Sequence, residues 1–137
     1  MTKILNQNKI NYLIVHCSDT KKNLTVQDIH IMHLNFGWDG IGYHKIIDQH
    51  GEIHNGRPEY WIGAHVKGLN ENSLGVCLIG KENFSKAQLK SLKLILNEWK
   101  NKYPQAKVLG HRDSIKTKKT CPNFDVIKWY ESVENEQ

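Results

Sequence analysis

The spacing of apolar residues along the chain predicts strands that alternate with helices. Two continuous apolar runs, residues 12–17 and 74–79, are typical of strands buried on both faces of a sheet. Shorter patterns predict further strands at residues 41–48, around 52–54 and at 107–109. We therefore expect a sheet of about five strands, with the two long runs at its centre.

About three helices are expected around this sheet. The strongest helical pattern covers residues 86–102, where a capping box precedes four apolar side chains on one stripe. Another capping box precedes residues 26–36, and Gly37 is placed to end that helix. A last helix is expected from about residue 125 to residue 134.

This alternation indicates an α/β fold with a central mixed sheet in a single domain. We expect the domain to cover residues 12–134, after a polar arm at residues 1–11 that is mobile or only loosely attached. Segment 55–72 is expected to be an irregular, functional loop. In open α/β sheets, sites form beyond the strand ends, and His16 and His111 lie at the ends of predicted strands.

Composition and charge narrow the class of protein. The chain has 137 residues, with 19 basic and 14 acidic side chains, for a net charge of +5. No apolar stretch is long enough for a membrane span, and the polar start lacks the apolar middle of a signal peptide. The basic excess at residues 100–119 is typical either of a polyanion-binding face or of a solvated one. Specific nucleic-acid binding is not expected, because no reading motif is present.

Two histidines and one cysteine form a candidate zinc site. Three cysteines without a CxxC motif favour reduced thiols or a metal ligand over a disulfide framework. His16, His111 and Cys121 would provide two imidazoles and one thiolate, which leaves the fourth zinc position open for water. By spacing alone, however, this is one of many triples that eight histidines allow.

Two further side chains suit chemistry at such a metal. Tyr43 lies next to Gly42, which lets the backbone approach a neighbour, and its hydroxyl suits orienting a water or stabilising an oxyanion. Lys119, two residues before Cys121, would offer an ammonium to the same developing charge. By position alone, a half-buried strand tyrosine and a solvated lysine are the more ordinary interpretations.

Several separate stretches share their order and spacing with one known family. They are residues 15–18, 37–38 with 41–44, 63–68, 72–80, 110–113 and 121–122. These stretches resemble the zinc amidases of the peptidoglycan-recognition superfamily, and most of all the small lysozyme-type amidases of T-seven-like phages. The resemblance covers about residues 12–130. It implies an N-acetylmuramoyl-L-alanine amidase, which cuts the amide between the lactyl group of N-acetylmuramic acid and the L-alanine of the stem peptide.

The resemblance also implies roles for individual residues. One zinc ion (Zn2+) per chain would be held by the three candidate ligands, and Tyr43 and Lys119 would be catalytic. His44 and His65 match positions on the substrate side. Lys118 is an alternative to Lys119, because the segment before Cys121 is rich in lysine in this chain.

Other functions remain open at this point. A peptidoglycan-binding module without activity would typically lack Cys121, and cytosolic recycling amidases usually carry Asp there. The phage relatives imply a second role, binding and inhibition of a phage-type RNA polymerase, for which residues 1–11 are a candidate contact. We expect a monomer, made in the host cytoplasm without a signal peptide, that acts on the cell wall as an endolysin.

Overall fold

A computed structural model describes residues 4–114 and 120–134, which contain one five-stranded mixed sheet. The strand order is β3-β2-β4-β1-β5; β3 is antiparallel to its neighbour and the other pairings are parallel. The predicted mixed sheet of five strands is thus confirmed. The strands are β1 Tyr12–Cys17, β2 Lys45–Ile47, β3 Ile53–Asn55, β4 Ser73–Leu78 and β5 Lys107–Gly110.

Four α-helices accompany the sheet in the described residues, one more than predicted. The additional helix is a single turn that begins at His111, and its four residues are too few to show a periodic pattern. The helices are α1 Val26–Asn35, α2 Lys86–Lys102, α3 His111–Ser114 and α4 Val126–Val133. None of the helices in the described part of the chain is long and apolar enough to cross a membrane.

The two faces of the sheet pack against different helices. On one face, Val15 belongs to the larger apolar cluster with α2 residues such as Trp99. On the other face, Ile46 packs with Ile29 of α1. Because side chains alternate along a strand, His16 points away from the larger cluster and towards the α1 side. The functional site is therefore expected on that side.

The second predicted strand is shorter than expected. Residues 41–44 lie outside β2. The backbone of residues 41–43 bonds to histidine side chains of α1 and to loops, whereas the His44 N–H donates to the Gly75 carbonyl of β4 at 2.9 Å. The Gly42 N–H donates to Nδ1 of His33 at 2.9 Å, and the Gly42 carbonyl accepts from the Ala64 N–H at 3.0 Å. These two bonds fix the chain just before Tyr43, and the bond from the His44 N–H to Gly75 fixes it just after.

The described part of the N-terminal segment, residues 4–11, packs on the domain. Leu5 and Ile10 are buried in the larger apolar cluster, and the Leu5 N–H donates to the carbonyl of Tyr60 at 2.8 Å. Ile4 forms a bridge with Trp61 but its side chain stays 67% exposed. These contacts differ from the loose attachment expected for the arm, while a domain boundary at residue 12 stays a prediction.

We predict that Ile10→Ala lowers the free energy of unfolding by about 2–4 kcal/mol, because it removes a fully buried side chain from the core. Ile4→Ala is the matched control and should change it by less than about 0.5 kcal/mol. Urea unfolding followed by far-ultraviolet circular dichroism measures both. Equal stability of the Ile10 variant and the wild type would show that residues 4–11 do not belong to the folded domain.

Candidate active site

The register of two parallel strands brings His16 and His111 together. Val15 of β1 pairs with Gly110 of β5, so the next residue of each chain segment emerges at the same sheet edge. The ring centroids of His16 and His111 lie 4.7 Å apart. Cys121 joins them from the loop before α4, where its Sγ accepts a hydrogen bond from the Cys17 N–H at 3.0 Å.

These three side chains fit a zinc ion by their chemistry and their proximity. One possible ligand atom from each of His16, His111 and Cys121 lies within 4.8 Å of the others. Burial, followed by the nearby His65 and His111, lowers the pKa of His16, which keeps its ring neutral as a ligand must be. The Cys17 thiol and burial raise the pKa of the Cys121 thiol, but a coordinating thiol loses its proton to the metal outright.

A chain of hydrogen bonds determines which nitrogen of His16 is available to a metal. The Ser73 hydroxyl donates to the carbonyl of Leu69 at 2.7 Å, so it accepts from Nε2 of His65, 3.3 Å away. Nδ1 of His65 then carries no proton and accepts from Nε2 of His16 at 2.9 Å. His16 therefore keeps its Nδ1 unprotonated, and its ring is oriented from behind as metal-binding histidines usually are.

His65 thus contacts His16 and also lines the cavity. The sequence predicted only a substrate-side role for it. Its loop is held by Asn70, whose Oδ1 accepts from the N–H groups of His65 and Val66, both at 2.9 Å. Gly75 of β4 leaves room for the ring, because a Cβ there would lie 2.7 Å from Nδ1 of His65. The sequence analysis did not identify Asn70. The one sequence signal of the close approach of His65 to β4 was Gly75, a glycine inside a strand pattern.

Tyr43 lies between the candidate ligands and α1. Its ring centroid is 5.1 Å from that of His16, and the side chain lines the cavity. Burial, and then the charges of nearby cysteines, raise the pKa of the Tyr43 hydroxyl. The hydroxyl also hydrogen-bonds the thiol of Cys77 in strand β4, so it already has a partner beside the candidate ligands.

His44 does not offer a ring nitrogen to a substrate. The Gly75 N–H donates to its Nδ1 at 3.1 Å, and its Nε2 donates to the carbonyl of Trp61 at 2.8 Å. The side chain is buried and is not among the residues that line the cavity. The sequence predicted a substrate contact for His44. In the structure its ring instead links β4 to the loop before His65 through these two hydrogen bonds.

The candidate ligands form the floor of an open cavity of about 770 Å³. Lys119 and its alternative Lys118 lie outside the described residues, so the structure does not place either of them. Besides the residues to which the sequence assigned a role, the cavity wall includes further polar and aromatic side chains: Ser18, Asp19, Trp38, Lys67, Asn70, Thr120 and Asn123.

Comparison with known proteins identifies relatives that cover nearly the whole chain. A family model described as N-acetylmuramoyl-L-alanine amidase matches residues 6–124. The endolysin of Escherichia phage T7 is 39% identical over 132 residues, which are 89% of this chain and 86% of the relative.

Solved structures show the same fold. The endolysin amidase LysCS from Clostridium intestinale is 33% identical, with a TM-score of 0.77, over 90% of this chain and 82% of that one. Drosophila PGRP-LB is 29% identical, with a TM-score of 0.82, over 97% of this chain and 85% of that one. The sheet and its helices are therefore arranged as in these proteins.

We predict that His44 makes stability depend on pH. Burial lowers the pKa of His44 to about 4, below the value of about 6.5 in an unfolded chain. Between these two values the unfolded chain binds a proton that the folded protein does not, so the free energy of unfolding falls as the pH falls through this window. The loss from this residue approaches about 3 kcal/mol at pH 4.

Urea unfolding of the wild type and of His44→Gln at several pH values from 7 to 4.5 tests this. The wild type should be the more stable at pH 7, and the difference should shrink steadily towards pH 4.5. His50→Gln, which changes an exposed histidine, is the control and should run parallel to the wild type. A constant difference between the wild type and His44→Gln would contradict the prediction.

Proposed function

Because the chain belongs to the N-acetylmuramoyl-L-alanine amidase family, we propose that it hydrolyses the amide between the lactyl group of N-acetylmuramic acid and the L-alanine of the stem peptide. The observation that carries this proposal is the cluster of His16, His111 and Cys121 at the floor of the cavity. Three neutral or thiolate donors that leave a coordination position open are typical of hydrolytic rather than structural zinc sites.

We assign the zinc to these three residues. When bound, zinc would polarise the scissile carbonyl and lower the pKa of a water molecule towards neutrality. The protein's part is to hold the ligands in one arrangement. His65 fixes the ring of His16 through the bond between their nitrogens, and the Cys17 N–H fixes the sulfur of Cys121.

Tyr43 is the proposed donor to the reacting carbonyl. Its hydroxyl is protonated at neutral pH, as a phenol ordinarily is, and its ring lies against His16. To act on the substrate, the hydroxyl would exchange its hydrogen bond with the Cys77 thiol for one to the carbonyl oxygen. A fixed donor beside the carbonyl oxygen stabilises the negative charge that develops there in the transition state. We propose the same role for the ammonium of Lys119, with Lys118 as the alternative, from their positions just before Cys121 in the sequence.

We propose that the substrate is peptidoglycan and that the protein acts on the cell wall as an endolysin, as its phage relatives are named. Lys67 and Asn70, on the wall of the cavity near His65, provide polar groups that suit the stem peptide. RNA polymerase binding and the monomeric state stay predictions from the resemblance alone.

Digestion of purified peptidoglycan tests the reaction. We expect mass spectrometry to detect free stem peptides whose L-alanine has a new amino group, together with glycan strands whose lactyl groups end in new carboxylates. Tyr43→Phe should release these peptides about 100-fold more slowly, since one transition-state hydrogen bond is lost. Its zinc content should equal that of the wild type.

New reducing sugar ends, with no free L-alanine amino group, would identify a glycosidase and overturn the proposal. Full activity of Tyr43→Phe would remove Tyr43 from the mechanism without changing the bond assigned. Loss of zinc from this variant would instead make Tyr43 a residue that supports the metal site.

A further inference from the structure

Two aromatic side chains beside the cavity are exposed. Phe36 and Trp38, here called the aromatic pair, are 61% and 39% exposed, and their ring centroids lie 5.3 Å apart. The rings are inclined at 68° and meet edge to face. Exposed apolar groups next to a cleft commonly mark a binding surface.

The end of α1 holds this pair in a fixed conformation. Gly37 adopts a φ of +87°, its N–H donates to the carbonyl of Leu34, and the Trp38 N–H donates to the carbonyl of His33. These two bonds form a Schellman motif, in which the residue after the glycine packs back on the helix. The Trp38 ring does so against His33, at 4.7 Å between centroids. Such a preorganised surface loses little conformational freedom on binding a ligand.

One member of the aromatic pair belongs to the active-site cavity, and the other lies next to it. Trp38 lines the same cavity as the candidate zinc ligands. A row of ring contacts leads inwards from it: His33 lies 5.3 Å from Tyr43, which lies 5.1 Å from His16. A long substrate whose scissile bond reaches Tyr43 can therefore also cover the aromatic pair.

The geometry points to the aromatic pair as a binding site for the glycan strand of peptidoglycan, an inference that rests on the proposed function. The substrate has two parts on either side of the amide: a peptide rich in amides and carboxylates, and a chain of sugar rings. The polar wall near His65, with Lys67 and Asn70, suits the peptide. Sugar rings present flat faces of C–H groups, which pack on aromatic rings, and Phe36 and Trp38 provide exposed aromatic surface beside the same cavity.

Calorimetric titration with peptide-free glycan strands tests this inference without any hydrolysis. Phe36→Ala should bind these strands about tenfold more weakly, because one aromatic face is no longer covered. Phe36→Tyr keeps the ring and should bind like the wild type. Ile31→Ala removes another exposed apolar side chain of α1 and should also bind like the wild type.

Each outcome decides between the readings of the aromatic pair. Equal glycan affinity of Phe36→Ala and the wild type would overturn the inference. Unchanged glycan affinity with a change in sedimentation behaviour would assign the pair to contacts between copies of the chain, which also overturns it. Digestion of whole peptidoglycan by the wild type is measured in parallel. If no free L-alanine amino groups appear, the proposed function fails, whatever the glycan titration shows.

Discussion

The parallel pairing of β1 with β5 is the constraint on which the site depends. Val15 pairs with Gly110. His16 and His111, which follow them in the chain, therefore lie together at one edge of the sheet. A shift of one residue would turn His16 into the apolar cluster on the opposite face. The third ligand is tied to the same edge, because the backbone of Cys17 donates to the sulfur of Cys121. The core that fixes the register therefore also fixes the donor set.

A second set of hydrogen bonds, behind the candidate ligands, orients the ring of His16. The chain of hydrogen bonds that runs from the Leu69 carbonyl through Ser73 and His65 determines which nitrogen of His16 carries the proton. Each group in it is at least partly shielded from water, where a missing partner would be costly. Gly75 makes the arrangement possible by leaving space for the ring of His65. The metal ligands are thus held by residues that no metal would touch.

Strong local patterns made much of the fold predictable. Helix α2 has the predicted bounds, because a capping box and a long apolar stripe both define it. The two apolar runs likewise became the buried strands β1 and β4. By contrast, the four-residue helix α3 has no periodicity to read, and the backbone of residues 41–43 bonds to histidine side chains and a distant loop instead of a strand.

The site was predictable only in part, for a related reason. His16, His111 and Cys121 could be proposed from their ligand chemistry and their resemblance to a family. The contact of His65 with His16, and the backbone bonds that occupy His44, link residues far apart in the sequence. Such contacts depend on tertiary packing and leave no local pattern.

Cobalt substitution most directly tests the central claim that the thiolate of Cys121 completes a metal site with the two histidines. Cobalt in place of zinc reports a thiolate ligand through a sulfur-to-metal charge-transfer absorption. We predict that the wild type and Cys17→Ser both show this band and that Cys121→Ser does not. Cys17 is a stringent control, because its backbone nitrogen lies 3.0 Å from the Cys121 sulfur. A band that survives Cys121→Ser, or is lost in Cys17→Ser, would contradict the account.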